Sequence, residues 1–155
     1  MSMHPAIEKI LCPVDFSQYS RDTLAEALFL ARRLEAELVV LHVINRRIFE
    51  ELERMGGRLQ TFQDTLGEAM ASARQEREQT LAELVTEMDG LGVNPRRLVE
   101  VGVPYETILE TAREQGVDLI VMGARGRGSL ARQLRFGTSA EKVFRRATCR
   151  VLFVR

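Results

Sequence analysis

The chain has 155 residues, with 22 Lys+Arg against 22 Asp+Glu and so a formal net charge of zero, without the basic excess on which nucleic-acid binding draws. Its 45% hydrophobic and 28% charged residues match an ordinary soluble composition, and a chain of this length buries roughly two-thirds of its unfolded surface, enough for one core without disulfides or a structural metal. No apolar run reaches the roughly 18–20 residues of a membrane span, and Met1 to Ile10 lacks a basic stretch followed by an apolar one, so a single cytoplasmic domain over 1–155 is expected, with neither nucleic acid nor membrane as partner.

Ile7 to Val14 (IEKILCPV) is a short apolar run rich in branched residues, closed by Pro13 and Asp15, and it predicts a first strand. Ser17 and Ser20 are candidate caps for a helix along which Leu24, Ala27, Leu28, Ala31 and Leu34 recur at three- and four-residue spacing. Glu37 to Ile44 (ELVVLHVI) is almost continuously apolar, as expected of a strand covered on both faces. Between Asn45 and Leu66, IFEELERM is helix-like, Gly56-Gly57 interrupts it and polar residues follow, so a mobile or irregular excursion is expected.

Helix formers return from Glu68 to Met88, with Gly90 and Gly92 as stop signals. The Glu, Arg and Gln face of residues 74–87 reads as a solvated surface. Pro95 to Val101 predicts a third strand, Tyr105 to Gln115 a third helix, Val117 to Met122 a fourth strand, Thr138 to Arg146 a fourth helix and Cys149 to Val154 a fifth strand. Strands alternating with helices imply right-handed crossovers, hence a parallel sheet with helices on both faces, a three-layer α/β/α fold. Cys12 and Cys149 belong to no CxxC or Cys/His cluster and read as free, buried thiols.

In such sheets ligands bind beyond the carboxyl ends of the strands, which directs attention to the loops after strands 1 and 4. The second reads Gly123-Ala124-Arg125-Gly126-Arg127-Gly128-Ser129, and its glycines free backbone N–H groups to converge on an anion. Further on, Gly137-Thr138-Ser139-Ala140-Glu141 opens a helix whose first N–H groups also favour an anion. The bland alternative is that the glycines form a simple turn and that Thr138 and Glu141 make a capping box, satisfying those N–H groups internally. A Walker-type loop is excluded because no Lys-Ser or Lys-Thr follows the glycines, and no acidic residue stands where a dinucleotide fingerprint needs one.

KILCPVDFSQYSRDTLAEALFLARRLEAELVVLHVI at the front and DLIVMGARGRGSLARQLRFGTSAEKVFRRATCRVLFVR at the back resemble the universal stress proteins. The resemblance implies a Rossmann-like, five-stranded parallel sheet of order 3-2-1-4-5 and a homodimer joined through the C-terminal strand, residues 151–154. One branch of that family binds ATP through a G-x-x-G, nine-residue spacer, G-[ST] pattern. Gly123 and Gly126 match its first pair, and Gly137 and Thr138 its last. Asp15, with Pro13 beside it, matches the acidic position next to the nucleoside, and Val43 the position on which adenine packs. Met122 and Arg125 occupy further contact positions, and Ser139 and Ala140 follow where phosphate is met. Arg127 is a further candidate for phosphate, ahead of Arg132 and Arg135. Residues 127–136 make ten between Gly126 and Gly137, one more than that pattern has.

The resemblance therefore implies a stress-response protein that binds an adenine nucleotide, ATP or AMP, with Mg²⁺ held through Asp15 or a Ser/Thr hydroxyl. Two alternatives are a dimer that binds no nucleotide and works through protein association, and a slow Mg²⁺-dependent ATP hydrolase. Asp15 could instead simply cap the first helix, and His42 reads as a hydrogen-bonded core histidine. No Ser/His/Asp or Cys/His arrangement and no metal-ligand cluster assembles from the sequence, so a dedicated enzyme is not expected.

Overall fold

The apolar runs pair into one parallel sheet of order β3-β2-β1-β4-β5, the expected topology. The structure is a computed structural model, and it describes residues 5–56, 60–88, 90, 92–125 and 137–155. Its elements are β1 (Lys9–Pro13), α1 (Ser20–Leu34), β2 (Glu37–Asn45), α2 (Arg47–Gly56), α3 (Gln60–Met88), β3 (Arg96–Gly102), α4 (Pro104–Glu114), β4 (Leu119–Gly123), α5 (Thr138–Arg146) and β5 (Arg150–Val154).

Alternation along β1 sends successive side chains to opposite faces of the sheet. Ile10 and Cys12 join Val40 under α1 and α3, where Leu24, Leu28, Leu81 and Val85 close the layer. Leu11 joins Val39, Leu41 and Ile120 under α4 and α5, where Ile108, Ala112, Ala140 and Val143 close the other. Strand β1 starts at Lys9 rather than Ile7, because the N–H groups of Glu8 and Lys9 both donate to Asp118 Oδ2 at 2.9 Å, clamping the strand's entry to the start of β4.

Residues 45–66 depart from expectation: α2 and the first turns of α3 replace the irregular excursion. Asn45 Oδ1 accepts the Arg47 N–H at 3.1 Å and Arg46 pairs with Glu50 one turn on, so α2 has a defined start. Phe49 packs against the core and Leu66 of α3 is buried, which anchors both helices. The polar residues after Gln60 form an exposed helical face, as in the Gln60–Asp64 hydrogen bond of 3.0 Å. Gly56 ends α2 where a Cβ would run into the Phe62 ring, so the glycine allows the two helices their close approach. Gly57 lies outside the described residues.

Beyond Leu11 and Ile120 the pairing of β1 with β4 stops, although β1 stays paired with β2 as far as Pro13. The chain leaves β1 toward β2 on one side and returns through β4 on the other, so this parting is the point where the strand order reverses. A crevice opens there between the carboxyl ends of β1 and β4.

Candidate functional site

The crevice is a cavity of about 390 Å³. Pro13, Val14 and Asp15 line it from the β1 end, Val43, Ile44 and Asn45 from the β2 end, Met122, Gly123 and Arg125 from the β4 end, and Gly137, Thr138, Ser139 and Ala140 from the start of α5. Every candidate that falls on a described residue thus lies in one cavity. Gly126, Arg127, Arg132 and Arg135 lie outside the described residues.

The start of α5 decides between the two readings of Gly137–Glu141. Gly137 is the N-cap, in extended conformation, and Thr138 is already helical, so the Thr138 side chain caps nothing. Glu141 turns its carboxylate to Arg145, one turn on, instead of back to the helix start. The capping box of the alternative reading is absent because the helix begins one residue earlier than that motif needs. The N–H groups of Thr138, Ser139 and Ala140 have no helical carbonyl behind them, and they face the cavity with the positive end of the helix. Gly137 N–H donates to Ala124 O at 2.7 Å and Ala124 N–H to Val154 O at 2.8 Å, tying this helix end to β4 and β5.

Asp15 orders the opposite loop and does not cap α1. Its Oδ1 accepts the Ser17 N–H at 2.9 Å and the Ser20 hydroxyl at 3.2 Å, while Tyr19 holds the N-cap position without a side-chain bond. Neither Ser17 nor Ser20 caps the helix. Phe16, between Asp15 and Ser17, takes a left-handed φ of 59°, uncommon for an aromatic residue, and stacks on His42 with centroids 4.2 Å apart. His42 is buried, and its Nδ1 lies 2.9 Å from Val14 O, which only accepts, so this nitrogen carries the proton. It is the core histidine expected.

Several cavity residues escape the sequence reading, Tyr19, Thr23 and Pro104 among them, and two come from helices outside the predicted loops. Ile48 of α2 and Arg77 of α3 line the cavity, and Arg77 lies over the Phe16 ring at 5.9 Å. A signal existed for each: Ile48, Leu52 and Met55 repeat at helical spacing, and Arg77 precedes the buried Leu81 by one turn. Elsewhere, burial pushes the Cys12 thiol up to about 12 and, less completely, raises that of Cys149. Among the described residues no three His, Cys, Asp or Glu side chains are grouped to hold a metal, and no helix is long and apolar enough to cross a membrane.

A family model described as the universal stress protein family matches residues 6–155. The chain is 31% identical to universal stress protein YxiE of Bacillus subtilis, across 95% of this chain and 98% of that one. It is 27% identical to universal stress protein MJ0577 of Methanocaldococcus jannaschii, across 96% and 94%. The solved structure of universal stress protein UspA from Lactobacillus plantarum superposes with a TM-score of 0.73 at 25% identity, covering 98% of this chain and all of that one. Two more distant structures share the fold: a universal stress protein in complex with cAMP (TM-score 0.62, 22% identity, 97% of this chain and 98% of that one), and one from Archaeoglobus fulgidus in complex with dAMP (0.60, 19%, 96% and 98%).

Proposed function

Because the chain belongs to the universal stress protein family, we propose that it binds an adenine nucleotide in the crevice between the β1 and β4 loops and works as a dimeric regulatory or protective module. The observation that carries this reading is the uncapped first turn of α5, whose N–H groups open into the cavity beside Gly123 and Arg125. Such a turn, with an arginine at its side, is suited to phosphate oxygens. Val43, Ile44, Ile48 and Met122 give the same cavity an apolar wall fit for a base. That the two fold-mates named above hold cAMP and dAMP agrees with an adenylate here.

Asp15 is the carboxylate of the cavity and Ser17, Ser20 and Thr138 are hydroxyls within it, a set able to hold Mg²⁺ brought in with ATP. Hydrolysis needs a positioned water and transition-state charge stabilisation, and arginines are the candidates for the second alone. We therefore read the protein as a binding module with slow turnover at most. Denaturing freshly purified protein and identifying any released small molecule by mass spectrometry tests the reading directly. Adding ATP with Mg²⁺ at about one hundred times its dissociation constant contributes roughly 2.7 kcal/mol and raises Tm by about 5–10 °C. No co-purified nucleotide and no shift would leave the association-only dimer, which the ten-residue spacer between Gly126 and Gly137 favours.

The dimer reading rests on β5, an edge strand whose Leu152 is exposed and whose Phe153 meets the exposed Phe144 of α5. Edge N–H and C=O groups with apolar neighbours invite a second strand. Light scattering should give twice the 17.6 kDa chain mass, and Leu152→Lys should return it to one; a monomeric wild type would discard this interface.

A further inference from the structure

Arg77 stands on the stripe of α3 that elsewhere faces the sheet. One turn before the buried Leu81, it passes beyond the sheet and lines the cavity instead. Nearby arginines are neutralised by carboxylates, Arg74 by Glu78 and Arg21 by Glu87, whereas no ion pair among the described residues includes Arg77. Its contact is aromatic: the guanidinium lies 5.9 Å from the Phe16 centroid, and Phe16 stacks in turn on His42. Phe16 takes this position with a left-handed backbone conformation, its ring lying between its His42 and Arg77 contacts.

The sheet order fixes which end of a ligand this stack would meet. Strands β2 and β4 flank β1 on opposite sides, with centres about 10 Å apart. The uncapped turn of α5 and Gly123 belong to the β4 side, and Asn45 and Ile48 to the β2 side. A nucleotide with its phosphate on α5 extends its base away from that anion site, toward the side where α3 meets the cavity. A guanidinium is planar and weakly hydrated, and it stacks on aromatic faces; with Phe16 on one face it retains a second.

Resting on the nucleotide reading, we propose that Arg77 is a specificity-determining residue: its guanidinium stacks on the face of the ligand's base, completing a Phe16–Arg77–base sandwich, and so selects a heteroaromatic ring rather than a further phosphate. Lysine lacks the planar face and replaces it poorly.

Calorimetric titration of the full chain with Mg·ATP, AMP and adenosine tests this. Arg77→Ala should weaken all three by a similar factor, about tenfold, with Arg77→Lys recovering less than half of that loss and the ligand-free Tm of both variants within about 2 °C of wild type. A loss confined to ATP and AMP with adenosine unchanged would make Arg77 a phosphate ligand and overturn the proposal. Wild-type affinity of Arg77→Ala for all three would overturn it as well, leaving the nucleotide site intact. Failure of the wild-type chain to bind any of them would bring down the nucleotide reading itself and this inference with it.

Discussion

Replacing Gly123 by valine should abolish the ATP-induced rise in Tm that the proposed nucleotide site predicts. Gly123 ends β4 opposite Val154, and a Cβ there would stand 2.9 Å from the Arg125 carbonyl oxygen and 3.2 Å from Thr23 Oγ1. The threonine hydroxyl can rotate away, but the Arg125 oxygen is backbone, so the loop itself must move. Arg125 moves with it, and the Ala124 carbonyl that holds Gly137 N–H at 2.7 Å carries the start of α5 along. A displacement of about 1 Å is enough to spoil hydrogen bonds from the first-turn N–H groups to a phosphate. Overpacking of this kind also costs about 1–3 kcal/mol of stability, several degrees in Tm for a chain of this size, so ligand-free Tm and far-UV circular dichroism must be recorded beside the shift. Gly67→Ala supplies the control: a Cβ there meets nothing within 4 Å on α3, and the helix gains up to about 1 kcal/mol. A folded Gly123→Val protein that keeps the full ATP shift would show that the β4 loop does not hold the ligand.

The same site shows what one sequence discloses. Strands β1, β2 and β4 were legible because burial on both faces leaves an apolar run with no polar alternation, and the glycines after β4 were legible as a loop suited either to an anion or to a simple turn. The α5 start was legible in extent but not in capping. Thr138 and Glu141 have capping-box spacing whether the threonine is the cap or the first helical residue, and that one-residue choice is made by the Gly137–Ala124 hydrogen bond across the fold.

Helix α2 was hidden for a related reason. None of its residues is fully buried, and it is held by one packed ring, Phe49, and an ion pair rather than by a core stripe. Its periodicity is therefore short and mixed with exposed Ile48 and Met55. Arg77 was read as part of a solvated helix face despite its spacing to Leu81, since its meaning lies in a contact with Phe16, 61 positions away. Local pattern reports burial and chain direction; it does not report which surface residue a neighbouring loop will meet.

Cys12 should make the protein lose stability in mild alkali. It sits on the central strand, fully buried among Leu24, Leu28 and Val40, and desolvation of the thiolate pushes its pKa from 9.0 to about 12. The folded state thus holds the thiol proton more tightly than the unfolded chain does. Below pH 9 the thiol is protonated in both states and costs nothing. Between pH 9 and 12 the unfolded chain releases the proton while the folded one keeps it, so unfolding becomes easier by about 1.4 kcal/mol per pH unit, about 4 kcal/mol in all. Urea unfolding at pH 8 and pH 10.5 samples half of that window and should show about 2 kcal/mol lost through Cys12. Cys12→Ala starts lower at pH 8, by about 1–2 kcal/mol for the small cavity, yet lacks this alkaline term. Cys149, whose thiol is raised by partial burial, and Tyr105, raised by its hydrogen bond to Glu106, titrate alike in both proteins and cancel in the difference. The two curves should therefore converge as pH rises. Parallel losses in wild type and Cys12→Ala would mean that β1 opens readily enough to hydrate the thiolate. A central strand that opened in this way could not hold the Pro13–Ser17 loop rigid against a ligand, so the alkaline test also bears on how firmly the floor of the crevice is built.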